Sequence, residues 1–93
     1  MKPGIQAEAL AAELRAKGFA TTVFKTCAYQ LHPCIRVSSG PHQKVRWTEY
    51  TYAAPEDGEW WFWWSSLERI EPITETRRAA DKIAFVVGLS RVS

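Results

Sequence analysis

The segment Glu59-Trp60-Trp61-Phe62-Trp63-Trp64-Ser65 places five aromatic side chains in an unbroken row. Aromatic residues are enriched in β-strands, and successive side chains of a strand point to opposite faces of the sheet. We therefore predict a central strand with Trp60, Phe62 and Trp64 on one face and the two intervening tryptophans on the other. Each ring that is buried removes on the order of 150 to 250 Å² from water, so both faces of such a sheet need a cover.

The length and composition indicate one small soluble domain. Ninety-three residues are enough for a single domain, 1–93. The net charge of +2 is too small to indicate a polyanion partner, and no apolar run approaches the roughly 20 residues of a membrane span. Because Met1-Lys2-Pro3-Gly4 leads directly into a charged helical pattern, we expect no signal peptide, no membrane association and a cytoplasmic location.

Two helices are predicted, one on each side of the tryptophan segment. Apolar residues recur at helical spacing from Ile5 to Lys17, and Gly18 can supply a left-handed cap. The second helix has Thr74 as its predicted N-cap and an apolar stripe to Val87, with Gly88 as its end.

Three further strands precede the tryptophan strand. They are predicted at Phe19–Cys27, Cys34–Ser38 and Lys44–Ala53. The turn Pro55-Glu56-Asp57-Gly58 predicts an antiparallel hairpin between the third strand and the tryptophan strand, and Leu67–Pro72 is expected to lead away from the sheet. The predicted fold class is α+β: a helix, a four-stranded antiparallel meander and a helix (αββββα).

The alternation in the third strand is inconsistent. Val45 and Trp47 share a face, whereas Tyr50 and Tyr52 have the opposite parity. Either a bulge near Thr48 and Glu49 resets the register, or this strand is also aromatic on both sides.

The sequence offers little catalytic or metal-binding chemistry. Cys27 and Cys34 are expected to be reduced packing groups, with a cross-strand disulfide as the alternative. Together with His32 and His42 they do not match the usual spacing of zinc ligands. Without a nucleophile elbow, phosphate loop or dinucleotide fingerprint, we predict a non-enzymatic protein with no catalytic residue, metal or cofactor.

The Ala-Pro-x-Asp-Gly turn at 54–58 and the Trp-Trp-Phe-Trp-Trp-Ser strand at 60–65 resemble a group of small uncharacterised actinobacterial proteins. Ile70, Pro72 and the helix that contains Ala79-Ala80 extend the resemblance over most of the chain. It implies a small cytoplasmic protein that is often encoded near regulatory genes, and it implies no established activity.

These observations favour a protein-interaction module, such as a regulatory accessory protein, that uses an aromatic sheet face to contact a second copy or another protein. The predicted contact residues are Trp61, Trp63, Tyr50 and Tyr52, with Arg36 and Arg46 at the rim. The alternative is a single-stranded nucleic-acid-binding module, in which these rings stack on bases. The basic residues that would accompany them are Lys25, Arg36, Lys44 and Arg46.

Overall fold

The computed structural model of the chain describes residues 2–25, 32–39 and 47–92, with side chains described as far as residue 88 in the last helix. Its elements are α1 (Pro3–Ala16), β1 (Ala20–Phe24), β2 (Cys34–Ser38), β3 (Thr48–Glu56), β4 (Glu59–Trp64), β5 (Arg69–Pro72) and α2 (Thr76–Val92). Within these ranges the strands form an antiparallel sheet in the order β1-β2-β3-β4-β5. The α+β class is confirmed, whereas the four-stranded αββββα order is wrong because β5 joins the sheet. The predicted ends of the first and third strands, at Cys27 and Lys44, lie outside the described residues.

Strand β5 pairs with β4 where the sequence predicted an exit from the sheet. Trp61 pairs with Pro72 and Trp63 pairs with Arg69, with a register shift between Phe62 and Trp63. The Trp64 amide donates to the Glu68 carbonyl at 2.8 Å, which closes a tight turn between the strands. A strand of four residues with proline at its end has a weak local signal, because proline is depleted in strands. Its pairing is therefore decided by contact with β4.

Helix α1 ends at the predicted glycine. The Gly18 amide donates to the Arg15 carbonyl at 2.9 Å, and the Phe19 amide donates to the Leu14 carbonyl at 3.2 Å. Gly18 has a φ of 95°, and this combination of bonds is the Schellman motif. The predicted role of Gly18 is confirmed.

Helix α2 begins at Thr76, two residues after the predicted cap Thr74, and continues through Gly88 to Val92. The prediction that Gly88 ends the helix is wrong. A glycine inside a helix costs about 1 kcal/mol relative to alanine, which is a penalty that packing can offset and not a break. The buried stripe of α2 consists of Ala79, Ala80, Ile83 and Val87.

Both helices pack on the same face of the sheet. The core combines α1, α2 and one face of the strands, and its members are Ala7, Leu10, Leu14, Ile35, Val37, Ala53, Phe62, Ile70, Ile73, Ala79, Ala80, Ile83 and Val87. Trp60 and Trp64 pack against this core on either side of Phe62, which confirms the predicted alternation of β4. An ion pair of 2.7 Å between Lys17 and Asp81 joins the two helices at the surface.

A two-residue turn joins β3 to β4. Glu56 pairs with Glu59, and between them Asp57 and Gly58 have φ angles of 53° and 81°. Positive φ at both central residues is the property of type I′ turns, which match the twist of a hairpin. The predicted hairpin is confirmed.

Replacing Gly58 in the turn and Gly88 in the helix with alanine should change the free energy of unfolding in opposite directions. Gly58→Ala should lower the free energy of unfolding by roughly 1 to 2 kcal/mol, because a side chain at positive φ is strained. Gly88→Ala should raise it by roughly 0.5 to 1 kcal/mol, because the helix continues through this residue and no described heavy atom crowds an added Cβ. Urea denaturation measures both changes. A destabilised Gly88→Ala variant would contradict the continuous helix.

Candidate interaction surface

The sheet face opposite the helices carries a row of side chains that crosses all five described strands. The register joins Phe24 to Cys34, Cys34 to Tyr52, Tyr52 to Trp63, and Trp63 to Arg69. Other side chains flank the row on the same face. We call this surface the open face; its members are Phe24, Cys34, Arg36, Tyr50, Tyr52, Trp61, Trp63 and Arg69, and of these Cys34 is buried. The described parts of both helices contribute to the core on the other side of the sheet.

The rings of the open face are partly accessible to solvent. Tyr50 is 40% exposed and Phe24 is 37% exposed, whereas Tyr52, Trp61 and Trp63 are half-buried. Rings that lie side by side on neighbouring strands shield one another's edges. Their outer surfaces are thus available to a partner.

The conflicting alternation in β3 has a simple resolution. The pairing of β2 with β3 runs without a shift from Cys34 and Tyr52 to Ser38 and Thr48, so the bulge is wrong for this segment. Trp47 packs on the helix side, where its ring meets Phe19 edge-on with a centroid separation of 5.8 Å. Strand β3 therefore places tyrosines on the open face and the preceding tryptophan on the core face. Val45 lies outside the described residues.

A hydrogen bond fixes the central tryptophan of the open face. The Trp63 indole Nε1 donates to the Ala54 carbonyl oxygen on the neighbouring strand at 3.0 Å. A buried indole nitrogen normally has such a partner, and the bond restricts the ring to one orientation. The largest side chain in the row is thus held in place before any partner arrives.

Beside Trp63 the open face contains a cleft of about 300 Å³. Its lining consists of Tyr52, Ala54, Glu56, Trp63 and Leu67. We call it the cleft. Leu67 is 71% exposed and has a φ of 71°, which is uncommon for a residue with a side chain. The tight turn before β5 thus holds an exposed leucine at the rim of an aromatic surface.

Two arginines stack on rings at opposite sides of the open face. The Arg36 guanidinium carbon lies 5.5 Å from the centroid of Phe24, and that of Arg69 lies 4.6 Å from the centroid of Trp61. Contacts of this kind contribute about 0.5 to 1 kcal/mol at exposed sites. Arg36 also donates to the Thr22 hydroxyl at 3.4 Å, and an Arg69 nitrogen lies 3.6 Å from a Glu56 carboxylate oxygen.

The structure brings most of the predicted contact residues together. Those on the open face are Trp61, Trp63, Tyr50, Tyr52 and Arg36. Arg46, the second predicted rim residue, lies outside the described residues, as does Lys44. Whether the surface binds a partner stays a prediction.

Sequence reasoning missed Phe24, Leu67 and Arg69. The position of Phe24 could have been found from the alternation of β1. Phe24 is on the same face as Thr22, and Thr22 pairs with Arg36, a predicted contact residue. Arg69 gave no such signal, since its segment was not recognised as a strand. Leu67 belongs to the turn that this strand requires.

The cysteine and histidine residues give no metal site in the described ranges. No group of three or more His, Cys, Asp or Glu residues there could hold a metal ion. Cys34 is buried and disulfide-bonded, so the expectation of a reduced thiol at this position is wrong. His32 lies edge-on to Trp60 with centroids 5.1 Å apart. Cys27 and His42 lie outside the described residues.

Comparison with known proteins found no matching family model, no similar curated protein and no similar solved structure. The resemblance to small actinobacterial proteins therefore stays an expectation from the turn and the aromatic strand. No helix in the described part of the chain is long and apolar enough to cross a membrane.

Loss of the indole bond should loosen the open face. Trp63→Phe keeps an aromatic ring but removes the donor to Ala54, so we expect the free energy of unfolding to fall by about 1 kcal/mol beyond the loss of ring area. Trp61→Phe, a matched change on the same strand and face, measures the effect of ring area. Equal unfolding free energies for the two variants would contradict a contribution from the bond.

Proposed function

We propose that the protein is a non-enzymatic interaction module that binds another protein surface with its open face. The observation that carries the proposal is the placement of five aromatic side chains on the sheet face opposite the two helices. Those rings are Phe24, Tyr50, Tyr52, Trp61 and Trp63.

The physical argument is the cost of leaving such a face in water. Each Å² of apolar surface removed from water contributes about 25 cal/mol, and a contiguous apolar patch on a sheet invites association. Tyrosine, tryptophan and arginine are also the residues that most often anchor protein interfaces. The composition of the open face therefore matches an interface better than an ordinary solvated surface.

The arrangement of charge on the open face supports the same function. The row across the strands is aromatic at its centre, at Tyr52 and Trp63, and ends in Arg69 on β5, while Arg36 flanks the row on β2. Interfaces between proteins have this order, with few charges at the centre and a polar rim. The cytoplasmic location and the accessory role beside a regulatory protein, both expected from the sequence, stay predictions.

Removing the two tryptophans of the open face should abolish association. We expect Trp61→Ala/Trp63→Ala to lose any oligomer that light scattering detects in the wild type, and to lose proteins captured from an extract of the source organism. Phe85→Ala is the matched control, because Phe85 is a 68% exposed aromatic residue on α2, in the helix layer. Association that survives in the double variant would contradict the proposal.

A single-residue variant on the open face is needed because the double variant could lose association by unfolding. Tyr50→Asp places a charge on the exposed ring position of β3 without touching the core. Circular dichroism should show the same thermal transition as the wild type, so that a loss of association reports on the surface alone.

Single-stranded nucleic acid is the second candidate ligand. The observation that favours it is the pairing of Arg36 with Phe24 and of Arg69 with Trp61, since sheet aromatics beside cations are how proteins hold unpaired bases. Against it, the carboxylate of Glu56 lies beside Arg69 and would repel phosphate. We therefore rank it below protein binding.

Fluorescence anisotropy separates the two candidates. An oligothymidylate of about 16 nucleotides, long enough for a small domain, should show no micromolar binding to the wild type if the open face binds protein. Binding that weakens steeply with salt would report the release of counterions from phosphate contacts. Such binding, if lost in Trp61→Ala/Trp63→Ala, would favour the nucleic-acid function.

A further inference from the structure

We infer that the protein surface bound by the open face is a second copy of this chain, with Arg36 of each copy inserted into the cleft of the other. The inference rests on the proposed function and adds the identity of the partner. It is drawn from the basic side chains that bond to the outer strands, the size of the open face and the positions of its charged groups.

The two outer strands are poorly suited to association by strand pairing. On β1 the Thr21 carbonyl accepts hydrogen bonds from Arg15 Nη2 at 2.9 Å and Nε at 3.2 Å. On β5 the Ile70 carbonyl accepts a bond from Lys82 Nζ at 3.1 Å. Basic side chains that bond to an edge strand oppose the addition of another strand. A second copy is therefore directed to the face of the sheet.

The size of the open face suits a weakly associating dimer. Five strands spaced about 4.8 Å apart span roughly 19 Å, and strands of four to nine residues span roughly 13 to 30 Å. The projected area is thus about 250 to 600 Å². A standard interface buries about 800 Å² per partner, and smaller interfaces are typical of weak, transient complexes, so a sheet-to-sheet contact of this size predicts weak association.

The cleft has the chemistry of a site for a guanidinium group. Tyr52 and Trp63 line the cleft with aromatic rings, and the Glu56 side chain, 44% exposed, supplies a carboxylate. A planar cation between aromatic rings and a carboxylate gains both cation–π attraction and charge-assisted hydrogen bonds. The ion pair of Glu56 with Arg69, at 3.6 Å and partly exposed, is weak and leaves the carboxylate able to bind a second arginine.

Arg36 is the cation best placed to fill the cleft of another copy. Its contacts with the described residues include a 5.5 Å approach to the Phe24 ring centroid and a long hydrogen bond of 3.4 Å to Thr22. A guanidinium has five donors, so these contacts leave donors for a carboxylate across the interface. Arg36 is also half-buried on the open face, and its backbone is held by the pairing of β2 with β1 and β3.

The register puts Arg36 and the cleft on opposite sides of Tyr52. Arg36 pairs with Tyr50, before Tyr52 in β3, whereas the cleft extends from Tyr52 toward Glu56, after it. A two-fold axis that lies in the interface near Tyr52 therefore places Arg36 of each copy over the cleft of the other copy. In such a symmetric dimer, each contact between Arg36 and the cleft occurs twice.

Charge reversal tests the pairing directly. Arg36→Glu leaves like negative charges facing each other at both contacts, and Glu56→Arg leaves like positive charges. Each variant alone should have a dimer dissociation constant about 10- to 100-fold higher than the wild type, measured by sedimentation equilibrium. An equimolar mixture of the two variants should form a heterodimer of near wild-type affinity, because both contacts then join opposite charges.

A matched control separates this pairing from general attraction between oppositely charged chains. Glu8→Arg makes the same charge change on α1, in the helix layer. It should dimerise as the wild type does, and mixing it with Arg36→Glu should not restore wild-type affinity. Recovery with Glu8→Arg equal to recovery with Glu56→Arg would overturn the assignment of the cleft.

The outcomes distinguish this inference from the proposed function. A wild type that remains monomeric at about 100 μM, far above the dissociation constant of a useful dimer, overturns the second copy as partner. Capture of another protein that depends on Trp61 and Trp63 would then leave the proposed function standing. A dimer that is unaffected by Arg36→Glu and Glu56→Arg overturns the pairing, and a dimer unaffected by loss of both tryptophans overturns the proposed function as well.

Discussion

The alternation of side chains along a β-strand is the constraint on which the rest of this structure depends. Strand β4 has a ring at five consecutive positions, so two rings must lie on the face opposite the one that Trp60, Phe62 and Trp64 occupy. The described residues supply one layer of two helices, and that layer and Phe62 belong to one core. The rings of Trp61 and Trp63 are left on the other side, where they are half-buried.

The fold balances a one-sided core with restraints within the sheet. Phe62 is completely buried in a core that it shares with Ala53 and residues of both helices, and burying a large aromatic ring contributes several kcal/mol relative to alanine. On the opposite face the restraints are smaller, such as the indole bond of Trp63 and the arginines stacked on Phe24 and Trp61. These contacts order the surface rings without hiding them, which lowers the entropy that a partner would have to remove on binding.

The same contacts direct how the chain can associate. Arg15 and Lys82 extend from the helices to carbonyl groups of the outer strands, which protects the sheet from pairing at its edges. The aromatic face has no comparable protection in the described part of the chain. Its arginines and the carboxylate of Glu56 flank the central rings, where they can select a partner by charge after the rings have supplied the apolar contact.

The sequence pattern correctly predicted the features that depend on the conformation of a few neighbouring residues. The cap at Gly18 and the hairpin turn at Asp57-Gly58 follow from residues that tolerate positive φ, and the two-sided pattern of β4 follows from its period of two. The sequence missed the extent of α2, because packing of its buried stripe outweighs the cost of Gly88. It also missed β5, because a short segment ending in proline becomes a strand only when β4 pairs with it.

The sequence by itself determined that aromatic rings leave both sides of one strand, since that is a property of the extended backbone. It also placed Tyr50 and Tyr52 on a shared face. Of the six contact residues predicted from the sequence, the structure brings five together, and the sixth, Arg46, lies outside the described residues. Only the tertiary structure decided that both helices pack on the same side, that β3 runs through without a bulge, and that Arg69 joins the open face with Leu67 at its rim. Those features depend on contacts between residues that are distant in the chain. A local sequence pattern does not indicate how much free energy such contacts contribute.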